Sequence, residues 1–325
     1  MKSSTSIFSQ LKSWCVLHPR KAALAGVCAA ALVLTAASVL RVKERIYFNW
    51  VDMAQASTRI DNAIWLPDYR VDLQALPVAG VPDDLSGITY DYDQNRLLAI
   101  TNSGPMQIVA MDKSSNVLAS YPLIGFKDTE DITYMGDGLV AVVEERSHSI
   151  SFLTMPATPG PINRNNARNV TLGLNQSDTE NKGLEGIAYD AVEDRLYAVK
   201  ERDPRQLFAI TGVRESLAGN LQLEVRDLSE WLDRSVYSTD LSAVHVDPVT
   251  GHLLLLSDES KALFELNSDG DLVSSRTFLS GLSDVKESVP QAEGVTMDTL
   301  GNLYVISEPN LFYSFSKKPV TVAQH

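Results

Sequence analysis

The sequence predicts an all-β fold, a five-bladed β-propeller, with an N-terminal transmembrane helix before it. A related motif of six or seven residues occurs five times, and its second residues are separated by 44, 55, 57 and 51 positions. Each copy is followed by a turn rich in Asp, Asn and Gly and then by a short apolar run, which is the pattern of a β-hairpin. Strand-type repeats of this length are typical of propeller blades. A run of 19 residues without a charge lies near the N-terminus and indicates a membrane segment.

The apolar run extends from Ala22 to Leu40. At ~1.5 Å per helical residue it covers most of a ~30 Å hydrocarbon core, and basic residues flank it on both sides. A cleaved signal peptide is the alternative, because the small residues Ala36, Ala37 and Ser38 fit a peptidase site. The run is longer than the ~7 to 15 residues of a usual signal core, which favours an uncleaved anchor.

The formal net charge of −13 divides into two unlike parts. Residues 1–45 hold seven basic side chains and one acid, so the remaining 280 residues carry a net charge of −19. Basic residues before the apolar run outweigh those after it, so we expect residues 1–21 in the cytoplasm and the C-terminal domain in the periplasm, on a single-pass protein of the bacterial inner membrane. The acidic domain repels phosphate backbones, which excludes a general nucleic-acid binder. Both cysteines, Cys15 and Cys28, lie in or before the run, so the exported part does not depend on disulfides.

The propeller is predicted at residues 69–316, between a connector at residues 41–68 and a tail at residues 317–325. The motif copies are predicted to form the innermost strands, at residues 85–91, 129–134, 184–190, 241–247 and 292–298. Second strands are predicted at 96–101, 138–143, 195–200, 252–257 and 302–307, third strands at 106–111, 149–155, 206–211, 262–266 and 311–315, and fourth strands at 117–123, 169–174, 223–228 and 272–278. A helical turn is predicted at 228–234.

The last repeat has no fourth strand of its own. Residues 69–76 begin with alternating polar and apolar residues and are predicted to supply it, which closes the ring and leaves no open edge between the first and last blades. A β-sandwich or two smaller all-β domains is the alternative. Five concordant copies together with a closing strand favour the propeller.

Polar groups occupy the second position of the motif, where a core would be apolar. In a propeller the innermost strands run along a central channel, so equivalent residues converge on its axis. We call this set the first ring: Ser86, Glu130, Glu185, Ser242 and Glu293. Carboxylates held together repel each other unless something neutralises them, and Ca²⁺ takes 6 to 8 oxygen ligands. The sequence therefore predicts a Ca²⁺ ion held by Glu130, Glu185 and Glu293, with a solvated channel mouth as the alternative.

A second set of oxygen-bearing residues follows the second strands, fifteen or sixteen positions after the first ring. We call this set the second ring: Asn102, Glu145, Glu201, Asp258 and Glu308. The sequence leaves open whether these residues lie at the opposite end of each hairpin or beside the start of the next blade. Capping of a strand or pairing with Arg146 and Arg202 explains them as well as a ligand role does.

Two segments carry a family resemblance. Residues 183–189 read GLEGIAY, and residues 291–298 read QAEGVTMD and are followed at 301–310 by GNLYVISEPN. These segments resemble the SdiA-regulated family of YjiK-like proteins over nearly the whole exported domain. The resemblance implies a five-bladed propeller with bound calcium behind an N-terminal membrane segment, without an established activity. More distantly, the motif is similar to NHL repeats and to gluconolactonase- and paraoxonase-type propellers, and that similarity implies a metal at Glu130, Glu185 and Glu293.

Two hypotheses for the function follow. In the first, the calcium ion stabilises a binding or interaction module that has no catalytic group. In the second, the ion polarises a lactone, ester or phosphoester and activates water, with Glu145 or Glu201 as the base. The sequence has no G-x-S-x-G, H-E-x-x-H, P-loop or G-x-G-x-x-G motif, which favours the first hypothesis. Of the possible proton-transfer groups His148, His245 and His252, we expect His245 to pack between blades.

Overall fold

The computed structural model describes residues 18–39, 41–55, 62–172 and 183–317. Several predictions fall partly outside these ranges. They are the predicted cytoplasmic segment up to residue 17, Leu40 at the end of the predicted span, residues 56–61 of the connector, residues 173–174 of one fourth strand, and the tail from residue 318.

Two helices occupy the described part of the N-terminal region. Helix α1 spans Pro19–Val39 and helix α2 spans Val42–Gln55. Alanine and leucine, which favour helix, dominate α1, and Pro19 stands at its start, where the missing N–H costs nothing. Residues 19–38 are long and apolar enough to cross a membrane, and Leu24 and Leu32 are exposed. This helix fits a single-pass membrane anchor or a signal sequence.

The all-β propeller prediction is confirmed, because the chain from Tyr69 folds into five sheets. Blade 1 contains β2 Leu85–Asp91, β3 Arg96–Thr101, β4 Gln107–Met111 and β5 Val117–Ile124, with the short β9 Ile162–Asn163 parallel to β5. Blade 2 contains β6 Thr129–Gly136, β7 Leu139–Glu144, β8 Ser149–Thr154 and β10 Arg168–Thr171. Blade 3 contains β11 Leu184–Asp190, β12 Arg195–Lys200, β13 Gln206–Thr211 and β14 Glu224–Asp227.

Blade 4 contains β15 Ala243–Val246, β16 Leu253–Ser257, β17 Ala262–Leu266 and β18 Leu272–Thr277. Blade 5 contains β19 Gln291–Met297, β20 Leu303–Glu308, β21 Leu311–Lys317 and, from the start of the propeller, β1 Tyr69–Pro77. Helices α3 Val213–Leu217 and α4 Ser229–Ser235 lie before and after β14.

The ring is closed by β1, which pairs antiparallel with β21 from Tyr69 opposite Lys317 to Pro77 opposite Leu311. The Tyr69 ring is fully buried, and its hydroxyl donates to the Gly301 carbonyl at 2.8 Å. Because β1 comes from the start of the domain and β21 from its end, this pairing leaves neither end of the ring with an open edge.

Hydrophobic clusters lie between neighbouring blades. One cluster joins blades 1 and 2, one joins blades 2 and 3, one joins blades 4 and 5, and one joins blade 5 to blade 1. Each blade therefore buries its apolar faces against its neighbours, which holds the innermost strands around the channel.

Neighbouring innermost strands approach each other closely at the third position of the motif, a level that we call the glycine layer. Gly186 and Gly294 are required there, because an added Cβ would lie 2.8 Å from the Ala243 Cα and 3.0 Å from the Ile88 nitrogen, respectively. In blade 2 this position is Asp131, which is buried and lies against Gly87, where an added Cβ would come within 2.3 Å of the Asp131 Oδ1. Second motif positions line one cavity and fifth to seventh positions line another, so the glycine layer lies between the two along the strands.

Candidate metal centre at the acidic end of the channel

The end of the channel where the innermost strands begin is a cavity of about 260 Å³, which we call the acidic mouth. Nine carboxylates and one guanidinium line it. The lining residues are Asn102, Glu130, Glu145, Glu185, Glu201, Arg202, Asp240, Ser242, Asp258, Glu259, Gln291, Glu293 and Glu308. An excess of negative charge in so small a volume favours binding of a cation.

A β-bulge interrupts the ladder at the first-ring residue in four of the five described blades. The pairing of β11 with β12 skips from Leu184 to Gly186, so Glu185 has no partner in the ladder. The same shift leaves Ser86, Glu293 and the pair Glu130–Asp131 without partners in their blades. A bulge re-aims a side chain that a regular strand would point into the sheet. Glu130, Glu185 and Glu293 line the acidic mouth, whereas Ser86 is not among its lining residues.

The three predicted ligands Glu130, Glu185 and Glu293 all line the acidic mouth, together with Ser242 of the first ring. Burial, followed by repulsion from Glu145 and other carboxylates, raises the pKa of Glu130 to about 9. Burial and then the nearby Asp258 raise the pKa of Glu293 to about 8, and burial raises the pKa of Glu185 well above its ordinary value. Within the described ranges, no Lys or Arg lies at ion-pair distance from these three carboxylates.

The second ring lies in the same mouth, beside the start of the next blade, which resolves the position that the sequence left open. The Asn102 amide of blade 1 donates to the Glu130 Oε1 of blade 2 at 2.6 Å. Glu145 Oε1 accepts from the Gly183 nitrogen at 3.0 Å, and Asp258 Oδ1 accepts from the Ala292 nitrogen at 3.1 Å. Each of these contacts joins the end of one blade's second strand to the first strand of the next blade.

The cations near the mouth are attached mainly to the second ring. Arg202 pairs with Glu201, and its Nη1 lies 2.8 Å from Glu259 Oε1. Lys261 pairs with Asp258 at 2.5 Å. These pairs neutralise part of the outer charge and leave the first-ring carboxylates available for a ligand cation.

Asp128 was missed by the sequence reasoning. It stands two residues before Glu130, and the carboxylate oxygens of Asp128, Glu130 and Glu145 lie within 4.8 Å of one another, which is close enough to share one metal ion. Arg146 pairs with Asp128 at 2.6 Å. Asp240 of blade 4 and Gln291 of blade 5 precede their first-ring residues by the same two positions and also line the mouth, so a polar residue at this spacing was the available signal.

None of the three candidate histidines lines the acidic mouth. His252 Nδ1 lies 2.7 Å from the Oε1 atom of the buried Glu265, which also accepts from the backbone nitrogens of Ile64 and Trp65. The backbone contacts of Glu265 attach the segment before β1 to blade 4, and His252 holds Glu265 in place, so His252 has a structural role.

The family of the chain is settled by a match to a family model. The model described as SdiA-regulated matches residues 61–316, which is most of the chain. The chain belongs to the SdiA-regulated family. The matched residues of this SdiA-regulated protein begin shortly before β1 and end in β21, so the match covers all five blades.

Several solved structures are similar to this SdiA-regulated protein. A gluconolactonase from Xanthomonas campestris has 13% identity and a TM-score of 0.46, with coverage of 77% of this chain and 91% of that one. A luciferin-regenerating enzyme has 12% identity and a TM-score of 0.48, with coverage of 76% and 95%. A chain of a nidogen/laminin complex has 14% identity and a TM-score of 0.44, with coverage of 70% and 73%.

Proposed function

We propose that this protein is a calcium-binding propeller that is anchored in the bacterial inner membrane, faces the periplasm and acts as a binding or interaction module. One observation carries the calcium proposal. Glu130, Glu185 and Glu293 are brought together at the acidic mouth, and no Lys or Arg of the described residues pairs with them. A hard divalent cation is the partner that this arrangement lacks.

The donor set fits calcium. Carboxylates, the Asn102 and Gln291 amides and the Ser242 hydroxyl all present oxygen, and no sulfur or imidazole lines the mouth among the described residues. Calcium accepts 6 to 8 oxygen ligands in flexible geometry, whereas zinc and copper prefer nitrogen or sulfur. We propose Glu130, Glu185 and Glu293 as ligands, with Asp128 and Glu145 as additional donors close to Glu130.

Calcium titration of the purified protein tests this proposal. Chelation should lower the melting temperature, because an ion that binds the folded state stabilises it by about 2.7 kcal/mol at 100 times its Kd. For a domain of this size, we expect a decrease of roughly 5 to 10 °C.

Two matched triple variants distinguish loss of the proposed ligands from a general loss of negative charge. The triple change of Glu130, Glu185 and Glu293 to Gln should abolish the calcium response. The same change at the exposed Glu193, Glu224 and Glu230 removes equal charge and should preserve it. A response that survives in the first triple variant would place the ion elsewhere.

A calcium-dependent hydrolase of lactones, esters or phosphoesters is the second candidate. Burial raises the pKa of both Glu145 and Glu201, which stand in the mouth beside the first ring, and a carboxylate with a raised pKa is a stronger base for activating water. Turnover of a lactone and aryl-ester panel that depends on Ca²⁺ and is lost in Glu145→Gln or Glu201→Gln would establish this activity. Absence of metal-dependent turnover would leave the binding module.

The proposed orientation rests on the four basic side chains before the apolar run, against three between its end and residue 45. Reporter fusions at the C-terminus should be active only with a reporter that works in the periplasm. Retention of α1 in the mature protein, measured by intact mass, distinguishes an anchor from a cleaved signal sequence.

A further inference from the structure

The opposite end of the channel contains a second cavity, of about 180 Å³, which we call the tyrosine pocket. Its wall is formed mainly by the fifth to seventh positions of the motif, beyond the glycine layer. Four aromatic rings line it: Tyr90, Tyr92, Tyr134 and Tyr189. Val249, which is 85% exposed, stands at its rim, so solutes reach the pocket from solvent.

Three of the four tyrosine hydroxyls donate to residues outside the pocket lining. The Tyr90 hydroxyl donates to Asn95 at 2.7 Å, and the Tyr189 hydroxyl donates to Asp194 at 2.7 Å. The Tyr134 hydroxyl donates to Asp93 at 2.5 Å. Because these hydroxyls are bound in the hairpin turns, the rings present apolar surface to the cavity.

The carboxylates at the wall are satisfied in the same way. Asp298 accepts from Lys113, Asn302 and Tyr304, and Asp247 accepts from Thr250. Neither carboxylate therefore lacks a partner, and their charge disfavours an anionic ligand.

A cationic ligand is disfavoured too. The Lys113 ammonium lies 5.0 Å from the centre of the Tyr90 ring, and the Arg214 guanidinium lies 5.6 Å from the centre of the Tyr189 ring. These two rings already interact with a cation, so a second one in the pocket would be repelled. The pocket is suited to an uncharged molecule.

His245 is the exception in this wall. The fifth motif position is Thr in blades 1, 2 and 5, and two of these hydroxyls accept a backbone N–H of the next blade at 3.0 Å, from Tyr134 to Thr89 and from Tyr189 to Thr133. In blade 4 the position holds His245, whose Nε2 is buried without a hydrogen-bond partner among the described residues. Burial lowers its pKa to about 4, so the imidazole is neutral at pH 7 and can donate or accept.

We propose that the tyrosine pocket binds a small uncharged hydroxyaromatic molecule, one ring with one hydroxyl, whose hydroxyl pairs with the imidazole of His245, which lines the pocket. The size agrees, because an apolar protein cavity of about 150 Å³ holds one benzene ring. A hydroxyl both donates and accepts, so it satisfies either tautomer of the imidazole. This site is separate from the calcium proposal, because it lies at the other end of the channel.

Titration of the full chain in detergent with 4-methylphenol, 4-methylanisole and toluene tests the proposal. Wild-type protein should bind 4-methylphenol about tenfold more tightly than toluene, because the phenol hydroxyl forms a hydrogen bond with the His245 imidazole that toluene cannot form. The methyl ether cannot donate, so its affinity reports whether the imidazole accepts. Absence of saturable 4-methylphenol binding, or equal affinity for toluene, overturns the proposal without any variant.

The variant His245→Thr restores the residue that three other blades carry, so it is a conservative change for folding. It should remove the preference for 4-methylphenol, whereas His245→Gln, which keeps a donor and an acceptor, should retain part of it. The preference should be the same in EDTA and in the triple Gln variant of the acidic mouth. Loss of binding under either condition would place the ligand at the acidic mouth and would contradict this assignment.

Discussion

The two ends of the channel are built from the same five strands and have opposite chemistry. At the acidic mouth, carboxylates converge and burial raises the pKa values of Glu130 and Glu293, while the Arg202 guanidinium is paired with the second ring. The unmet need there is positive charge at the first ring. At the tyrosine pocket, the carboxylates are paired and the rings are apolar. The unmet need there is a hydrogen bond at the His245 imidazole. A seven-residue motif is therefore long enough to form two different sites, one on each side of the glycine layer.

A substitution in the glycine layer, which lies between the two sites, should have the largest effect on the free energy of unfolding. The Asp131 carboxylate accepts hydrogen bonds from the backbone nitrogens of Ile132 and Ile187, each at 2.8 Å, and the backbone of Ile88 also donates to it. These donors belong to blades 1, 2 and 3, so one carboxylate joins three blades. We expect Asp131→Ala to lower the free energy of unfolding by about 3 kcal/mol or more, because it leaves buried donors unsatisfied.

Urea denaturation monitored by circular dichroism measures this loss. Asp233→Ala, at a carboxylate that is 86% exposed, changes the net charge equally and should be within about 0.5 kcal/mol of wild type. Equal stability of the two variants would show that Asp131 does not hold the layer.

The pH dependence of stability should differ with and without calcium. The folded-state pKa values of Glu130 and Glu293, about 9 and about 8, lie above the ordinary value of 4.5. Between pH 4.5 and 9 the folded state therefore binds more protons than the unfolded state, so stability falls as pH rises through this window.

Thermal melts from pH 5 to 9 in EDTA should show a decrease of several degrees in melting temperature. Calcium should reduce that decrease, because the ion replaces the protons, and calcium affinity should rise over the same pH range. Parallel curves with and without calcium would mean that these carboxylates do not bind the ion.

Single substitutions at the mouth should separate ligands from residues that only bind backbone. Loss of an outer-sphere partner lowers metal affinity about 10- to 100-fold, and loss of a ligand should cost at least as much, so Glu293→Gln should weaken calcium binding at least tenfold. The Ser242 hydroxyl already donates to the Ala292 carbonyl at 2.7 Å. We therefore expect Ser242→Ala to change calcium affinity less than about twofold and to lower the free energy of unfolding by about 1 kcal/mol. Isothermal titration calorimetry measures the calcium affinity of both variants. A loss of affinity in Ser242→Ala as large as that in Glu293→Gln would make Ser242 a ligand.

Part of this arrangement could be predicted from the motif and part could not. Recurrence at the second position was sufficient to bring Glu130, Glu185 and Glu293 to one place, because blades are equivalent around the axis. The position of the second ring depends on the offset between neighbouring blades, which places Asn102 beside Glu130. The spacing of residues along the sequence does not give this offset. Asp128 lies two positions before the first-ring residue, just outside the motif that was aligned, so the polar residues at this position, among them Asp84 and Asp240, were not compared.

The tyrosine pocket illustrates the same limit. Tyrosine recurs at the sixth motif position in three blades, but the sequence does not tell whether a ring fills the core or lines a cavity. His245 was expected to pack between blades. Its pKa and burial agree with a packed side chain, and the unpartnered Nε2 is visible only when the contacts of the neighbouring blades are known.

A crystal structure of the propeller grown with calcium, with anomalous data at long wavelength, tests the central claim most directly. The account predicts one anomalous peak in the acidic mouth, with oxygen atoms of Glu130, Glu185 and Glu293 at about 2.3 to 2.6 Å. A peak absent from the mouth at saturating calcium, or a first ring that contacts only water, would contradict it.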